Sequence, residues 1–305
     1  MRGALRVYQA GSWGARALPG PAATALGAIL GPTLAAALPE RRRMVERHQR
    51  RAHGGDLRGL RLKRAVTKAF NSYARYWIES FRLPGLSPAK LEAGMSYEGM
   101  QHLDAALAGG RGAILALPHL GGWDWGGAWM STVGYPMTVV VEPLEPPEVF
   151  EWFADFRRSL GLTIVPLGHD AGPAVLRALG ANQPVGLLCD RDLHGDGVPV
   201  DFFGEQTTLP AGPVTLALRT GAPLLPTTVY FEGSEGHRGV IRPPLPLERQ
   251  GRLRADVARG TQQLAGALEA LIRAAPEQWH LMQPNWPSDF AEASDLRVKP
   301  LPPVP

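Results

Sequence analysis

The sequence predicts an α/β fold in which a mainly parallel central sheet is flanked by helices on both faces. From residue 112 onward, short apolar runs alternate with stretches of helical periodicity, a pattern typical of buried parallel strands joined by helices. The 305 residues are 45% hydrophobic and 20% charged, which is a globular composition for one large domain or two small ones. The single cysteine, Cys189, excludes an intrachain disulfide and a cysteine metal cluster.

The individual elements follow from periodicity and from the residues that interrupt it. Residues 57–83 carry apolar side chains three to five positions apart, which predicts a long amphipathic helix ended by Pro84 and Gly85. Residues 95–108 form a second predicted helix before a pair of glycines. The alternation that follows predicts strands at 112–117, 137–141, 162–165, 185–188, 200–203, 224–230 and 240–242, with helices at 123–133, 147–160, 174–179, 211–220 and 252–275.

The first 65 residues are strongly basic. They hold thirteen Lys and Arg but three acidic residues, a formal charge of +10, whereas the remaining residues carry −6. A basic end on an acidic body predicts a polyanionic partner, which is either a membrane surface or nucleic acid. No recognised nucleic-acid motif accompanies the charge, so we favour the membrane.

The apolar stretch at residues 17–39 is uncharged but contains four prolines. These prolines predict two short helices rather than a transmembrane span, and a secretory signal is a weaker match. Preceded by Trp13 and followed by the basic run at 40–51, such helices suit an anionic bilayer surface. The alternative is a helix that packs on the protein and leaves a solvated arginine face. We therefore divide the chain into a membrane-surface segment (1–56), a main domain (57–298) and a Pro-rich tail (299–305).

A chemically distinctive turn follows the predicted strand at 112–117. It reads PHLGGWD over residues 118–124, and reactive groups in α/β folds gather beyond the carboxyl ends of strands. The two glycines permit a tight turn, through which Asp124 can fold back toward His119. A carboxylate on one imidazole nitrogen sets the tautomer and leaves the other nitrogen to take a proton from a substrate hydroxyl. Alternatively, His119 caps the turn and Asp124 is a first-turn acid favoured by the helix dipole.

Three further blocks come after this turn in the chain. Asp190, Arg191 and Asp192 follow the predicted strand at 185–188, residues 200–204 read VDFFG, and residues 276–280 read PEQWH. Together with the His119 and Asp124 pair, these blocks resemble the lysophospholipid acyltransferase-like superfamily. The resemblance covers residues 55–290. It is closer to the branch that contains the lipid A lauroyl/myristoyl acyltransferases and the actinobacterial phosphatidylinositol mannoside acyltransferases.

The resemblance implies a glycerol-phosphate acyltransferase-like fold and a peripheral enzyme at the cytoplasmic face of the plasma membrane, with no cofactor and acyl-CoA as co-substrate. Such enzymes transfer a fatty acyl group from a thioester to a sugar hydroxyl of a glycolipid. For this chain it implies palmitoyl transfer to a mannose 6-hydroxyl of phosphatidylinositol mannoside, because Arg-, Ala-, Gly- and Pro-rich usage is typical of high-GC actinobacteria. The alternatives are lipid A or another glycolipid as acceptor, acyl carrier protein as donor, and a non-catalytic lipid-binding protein.

The resemblance also implies roles for individual residues. His119 is the implied general base, with Asp124 as its orienting acid. Arg157 matches an active-site arginine, Glu142 matches a position lining the acceptor groove, and Asp201 stands where the mannoside enzymes often carry a glutamate near the histidine. The candidate substrate-binding residues are therefore Glu142, Arg157, Asp201, Asp190 and Arg191.

Thioester alcoholysis passes through an anionic tetrahedral intermediate, which needs hydrogen-bond donors as well as a base. Either Arg157 or the amides of Gly121 and Gly122 could supply these donors, and the sequence leaves both open. His194 and His280 have no partners at metal-ligand spacing, so we predict no metal site.

Overall fold

The computed structural model describes residues 2–17 and 20–290. Within these residues the α-helices are α1 (Arg2–Ala17), α2 (Gly20–Ala37), α3 (Pro39–Ala52), α4 (Gly59–Arg82), α5 (Pro88–Ala93), α6 (Met100–Ala108), α7 (Trp123–Thr132), α8 (Pro147–Ser159), α9 (Ala171–Gly180), α10 (Gly212–Thr220) and α11 (Leu253–Ala274). The strands are β1 (Met95–Glu98), β2 (Ala113–Leu117), β3 (Thr138–Val141), β4 (Thr163–Pro166), β5 (Pro184–Leu188), β6 (Val198–Phe202), β7 (Glu205–Leu209), β8 (Leu224–Glu232) and β9 (Gly236–Ile241).

Seven of these strands form the central sheet, in the order β1-β9-β8-β2-β5-β3-β4. Every neighbouring pair is parallel except β8 with β9. Strands β6 and β7 form a separate antiparallel hairpin. The predicted α/β class with a mainly parallel sheet is therefore confirmed.

Helices cover the sheet on both faces, as the side chains of β2 demonstrate. Ile114 and Ala116 belong to a buried cluster with residues of α9, α10 and α11. Their neighbours Ala113 and Leu115 belong to a second cluster with residues of α6, α7 and α8. Because successive side chains of a strand point to opposite faces, the two clusters lie on opposite sides of the sheet.

Residues 95–108 are not one helix, so that prediction is wrong. They form β1 and then α6, with a break at Gly99, whose φ is +86°. A Cβ at this position would lie 1.9 Å from the carbonyl oxygen of Ile241, so the close approach to β9 requires glycine. Three of the four residues of β1 are exposed, which explains why the sequence pattern contains no strand signal here. Strand β7 lacks that signal because four of its five residues are polar, although two of the five are buried.

The N-terminal helices also differ from the prediction. Helix α2 is a single helix that contains Pro32, where two short helices were expected, and Trp13 lies within α1. A proline inside a helix costs about 3 kcal/mol, and α2 is in extensive contact with α4 along this stretch of the chain. Gly27 and Gly31 bring the α2 backbone close to α4, since a Cβ on Gly31 would lie 2.6 Å from the backbone nitrogen of Asn71.

Helix α3 packs against the main domain with part of its basic run. Its residues Val45, His48 and Gln49 are buried, whereas Arg42 and Arg43 are exposed. None of the helices in the described ranges combines the length and apolar character needed to cross a bilayer. The predicted Pro-rich tail at 299–305 lies outside the described residues.

The close α2–α4 contact predicts a steric effect at Gly31. We expect Gly31→Ala to lower stability by about 1–3 kcal/mol, the usual cost of overpacking, because the new Cβ meets backbone atoms of Asn71. Thermal unfolding followed by circular dichroism measures the change. Gly14→Ala is the matched control, since a Cβ at this helical glycine meets nothing within 4 Å, and it should raise stability by about 0.5–1 kcal/mol. Equal melting temperatures for the two variants would contradict the close packing.

Candidate active site

The register of two neighbouring strands builds the site. Strand β2 is parallel to β5, with Leu117 opposite Leu188, and the amide of Cys189 donates to the carbonyl of Leu117 at 2.8 Å. The chain therefore leaves both strands at the same edge and at the same height. His119 and Asp190, each two residues beyond its strand, meet there although they are 71 positions apart in the sequence.

The imidazole of His119 is hydrogen-bonded to Asp190. Its Nδ1 lies 2.6 Å from Asp190 Oδ1, and the backbone amide of His119 donates to Oδ2 at 3.0 Å. The indole N–H of Trp279 donates to the same Oδ2 at 2.8 Å. Burial opposes ionisation of Asp190, but the imidazole and these N–H donors hold the pKa of its carboxyl below the usual range.

This geometry determines which nitrogen can accept a proton. An ionised carboxylate only accepts hydrogen bonds, so Nδ1 of His119 carries the hydrogen and Nε2 carries the free lone pair. The side chain of His119 is 27% exposed and lines a large cavity. The arrangement has the two properties a general base needs, namely an oriented ring and access to a substrate.

Asp124 does not orient His119, so the predicted pairing is wrong. It lies in the first turn of α7, where it accepts hydrogen bonds from two other helices. Arg157 of α8 donates to it through Nε at 2.9 Å and Nη2 at 3.4 Å. Tyr76 and Ser80 of α4 donate through their hydroxyls at 2.7 and 3.4 Å. The continuous turn of α7 directs Asp124 toward α4 and α8, and the strand register leaves the place beside Nδ1 to Asp190.

Asp124, Arg157 and Tyr76 form a buried polar cluster. Burial disfavours the charge of Arg157, but the Asp124 carboxylate and the Tyr76 hydroxyl outweigh it and raise the pKa of the guanidinium. Burial and the nearby Asp124 charge raise the pKa of Tyr76 well above its usual value. Tyr76 therefore keeps its proton, its hydroxyl donates a hydrogen bond to Asp124, and Arg157 stays charged.

The glycine turn cannot supply an oxyanion hole as the sequence allowed. The amide of Gly121 donates to the carbonyl of Gln278 at 2.9 Å, and that of Gly122 donates to the carbonyl of Val229 at 2.8 Å. Both amides are therefore occupied within the fold. Arg157, which lines the cavity, is the remaining candidate of the two.

The cavity in front of His119 has a volume of about 650 Å³, within the range of pockets that hold organic ligands. One part of its wall is polar and includes Glu142, Arg157 and Arg191. Most of the remainder is apolar, with residues such as Val139, Val140, Val141, Leu144, Phe150, Phe153 and Leu162. A smaller apolar cavity of about 50 Å³ lies beside it, and the two share Leu117, Trp123, Gly127 and Met137 as wall residues.

Of the other predicted substrate-binding residues, Glu142 and Arg191 line the cavity and Asp190 lies buried behind it. Glu142 is half-buried and its carboxylate lies 3.4 Å from Nη1 of Arg191. Burial lowers the pKa of Arg191, and Glu142 and Asp190 partly offset that effect. Asp190 is fully buried behind His119, is hydrogen-bonded to it, and is not among the described residues that line the cavity.

Asp201 is not at the site, which corrects another expectation. It is exposed on β6, its backbone is paired with the side chain of Gln262, and it is absent from the cavity wall within the described residues. The short hairpin of β6 and β7 packs against α11 and turns this side chain outward.

Sequence reasoning missed Tyr76, Ser80 and Trp279. Trp279 lies in the PEQWH block that the sequence analysis singled out, so a signal existed for it. Tyr76 and Ser80 had none, because a helical periodicity identifies the apolar face of α4 and not the hydroxyls that reach Asp124.

A buried carboxylate behind an accessible imidazole, at the mouth of a mostly apolar cavity, is an arrangement typical of enzyme active sites. The sequence profile of the bacterial lipid A biosynthesis acyltransferases matches residues 4–288. The chain belongs to that family, and it is therefore an acyltransferase.

Individual relatives extend this finding. The chain is 43% identical to a phosphatidylinositol mannoside acyltransferase of Mycobacterium tuberculosis strain CDC 1551 / Oshkosh over 236 residues, which cover 76% of this chain and 73% of the relative. A protein of the same name from Mycolicibacterium smegmatis is 40% identical over 76% of both chains. A lipid A biosynthesis acyltransferase of Haemophilus influenzae is 27% identical over 63% of this chain and 59% of its own length.

The turn that carries His119 depends on Gly121. Its φ is +66°, and a Cβ would lie 2.0 Å from the carbonyl oxygen of Val229. We expect Gly121→Ala to displace the turn and abolish acyl transfer, because the left-handed backbone costs about 1–2 kcal/mol and the Cβ also collides with backbone. Gly110→Ala is the matched control. Its φ is +72° with nothing within 4 Å, so it should lose stability of that order and keep turnover. Full activity of folded Gly121→Ala would contradict this account of the turn.

Proposed function

We propose that this chain is a peripheral membrane enzyme that transfers palmitoyl from acyl-CoA to a mannose 6-hydroxyl of phosphatidylinositol mannoside, with His119 as general base. The observation that carries the proposal is His119, held by buried Asp190 and open to an apolar cavity. The names of the two mycobacterial relatives support the acceptor class. The resemblance to the family supports the 6-hydroxyl and the thioester donor.

The proposed reaction needs one base and one oxyanion donor. Nε2 of His119 takes the proton from the sugar hydroxyl as its oxygen attacks the thioester carbonyl carbon. The carbonyl π electrons move to oxygen, and the resulting tetrahedral oxyanion collapses as the carbon–sulfur bond breaks. The imidazolium then returns its proton to the leaving thiolate, so that the products are an ester and a free thiol. Asp190 stabilises the imidazolium between the two transfers.

Arg157 is the proposed donor to the oxyanion. A guanidinium has five N–H groups. Nε and Nη2 of Arg157 donate hydrogen bonds to Asp124, which leaves further N–H groups for the oxyanion. The pairing holds Arg157 in one orientation at the cavity wall, and a preorganised charge in a largely dry site stabilises a developing anion without further rearrangement. Asp124 and Tyr76 accordingly act through Arg157.

The cavity walls suggest how the two substrates divide the space. The apolar part beyond His119, continued by the smaller cavity along α7, suits the fatty chain of the donor. The polar part with Glu142 and Arg191 suits the hydroxyls and phosphate of the acceptor headgroup, because carboxylate and guanidinium bind such groups directly.

The mechanism predicts a loss of turnover when either the base or its acid is changed. We expect His119→Ala and Asp190→Asn to lower kcat by about 10²–10⁴-fold, because the first removes the base and the second removes the carboxylate that orients it. Labelled palmitoyl-CoA is incubated with a panel of glycolipids, including phosphatidylinositol mannoside and lipid A precursors, and products are identified by mass spectrometry. Unchanged turnover of a folded His119→Ala variant would refute the mechanism. Preference for a lipid A precursor would replace the proposed acceptor.

Membrane association rests on the N-terminal helices. Trp13 of α1 is 79% exposed and Ile29 of α2 is 66% exposed, and the neighbouring α3 carries the exposed Arg42 and Arg43. Apolar side chains next to cations suit the headgroup region of an anionic leaflet. The proposed location is the cytoplasmic face of the plasma membrane.

A vesicle assay checks this location. We expect Arg42→Glu/Arg43→Glu to weaken binding to vesicles containing anionic phospholipid by about tenfold or more, since each cation near such a surface contributes about 1 kcal/mol. Arg252→Glu/Arg254→Glu makes the same charge change at exposed positions at the start of α11 and should bind like the unmodified protein. Absence of vesicle binding by the unmodified protein at low salt would remove the proposed membrane association.

A further inference from the structure

The buried side chain of Trp279 contacts the acid behind the base. It is 2% exposed, and its indole N–H donates to Asp190 Oδ2 at 2.8 Å. Asp190 Oδ1 is bonded to His119 Nδ1. The carboxylate is therefore held at both oxygens, and the indole fixes its rotation about the Cβ–Cγ bond.

The backbone on either side of Trp279 also holds the turn that carries the base. The amide of His280 donates to the carbonyl of His119 at 2.7 Å, and the amide of Gly121 donates to the carbonyl of Gln278 at 2.9 Å. Leu120 and Trp279 are partners in an isolated antiparallel bridge. One three-residue segment, 278–280, thus positions the base through the backbone and its acid through a side chain.

This segment is itself anchored on the sheet. The side-chain amide of Gln278 donates to the carbonyl of Phe231 at 3.1 Å and accepts from its amide at 2.7 Å. The Gln278 side chain therefore forms the two backbone hydrogen bonds with Phe231, at the end of β8, that a neighbouring strand would otherwise form. Further along, Asn285 donates from its side chain to the carbonyl of Asp190 at 3.0 Å, so the same loop contacts the acid twice.

The surroundings of Trp279 leave its ring no room to turn. It packs against His48 of α3, with ring centres 5.2 Å apart, and against Phe203 at 5.4 Å. Asp289, in the helical turn at 287–290 that follows this segment, is paired with Arg47 and Arg51 at 3.0 and 2.9 Å. Through these contacts, helix α3 holds residues 279–289 in place beside the site.

We propose that Trp279 is a positioning residue, whose indole N–H orients Asp190 and through it the His119 base. The inference rests on the proposed role of His119. A hydrogen bond to a charged acceptor is stronger than one between neutral groups, so this indole restrains the carboxylate more than an ordinary aromatic neighbour would. The charged and titratable groups around the Asp190 carboxylate are His119, Arg191 and the buried thiol of Cys189, and His280 lies near enough to the imidazole to interact with its charge.

The test is Trp279→Phe, which keeps an aromatic ring and removes the N–H. We expect kcat to fall about 10–100-fold with KM changed less than about twofold. The acidic limb of the pH profile should move to higher pH by about 0.5 unit or more, because a carboxylate with one donor fewer holds the imidazolium more strongly.

Trp286→Phe is the matched control. Trp286 is equally buried in the same aromatic cluster, but its indole N–H donates to the neutral carbonyl of Phe202 at 3.1 Å. This variant should keep the pH profile of the unmodified protein, whatever it loses in stability. An equal shift in both variants, or none in Trp279→Phe, would overturn the proposal. Because His119→Ala tests the base separately, loss of activity there with an unshifted Trp279→Phe profile rejects only the positioning role.

A second measurement applies if Trp279→Phe does not fold. Indole N–H protons are followed by NMR after ¹⁵N-labelling of tryptophan, in the unmodified protein and in Asp190→Asn. The Trp286 signal is identified from its absence in Trp286→Phe. We expect an indole proton other than that of Trp286 to move upfield in Asp190→Asn, since its acceptor loses its charge. No such movement would overturn the proposal.

Discussion

Asp190 is a buried charge, and much of the site follows from that single constraint. A carboxylate removed from water costs several kcal/mol unless hydrogen bonds replace the lost hydration. His119 supplies two donors, its backbone amide and Nδ1, and Trp279 supplies a third. The contacts that stabilise the buried charge are thus the ones that align the imidazole. The same contacts therefore contribute to the stability of the fold and to the orientation of the His119 ring.

The second buried acid has a different task because its surroundings differ. Asp124 meets a guanidinium and a tyrosine hydroxyl from two helices rather than an imidazole. It therefore ties α4, α7 and α8 together and holds Arg157 at the cavity wall. The two carboxylates near this cavity have different partners because different elements face them. Asp190 lies at the ends of two strands, whereas Asp124 lies between the faces of two helices. Arg157 is thereby positioned independently of His119.

The basic N-terminal segment combines structural and exposed charges. Arg47 and Arg51 are paired with Asp289 and help to hold the loop that carries Trp279. Arg42 and Arg43 on the same helix are exposed. A count of charges in the sequence treats these arginines alike, whereas burial and partners separate them. The charge asymmetry of the chain therefore overstates what is available to an anionic surface.

The sequence by itself determined the α/β class, most helices and strands of the main domain, and the place of His119 beyond a buried strand, because each depends on local periodicity and turn chemistry. Only the tertiary structure decided which acid faces the imidazole. Asp124 is five residues away and Asp190 is 71 away, yet the parallel pairing of β2 with β5 brings the distant one into contact. Strand order and register are properties of long-range packing, so no spacing within one segment encodes them. The exposure of Asp201 is also a result of tertiary packing, because the hairpin of β6 and β7 lies outside the central sheet and packs against α11.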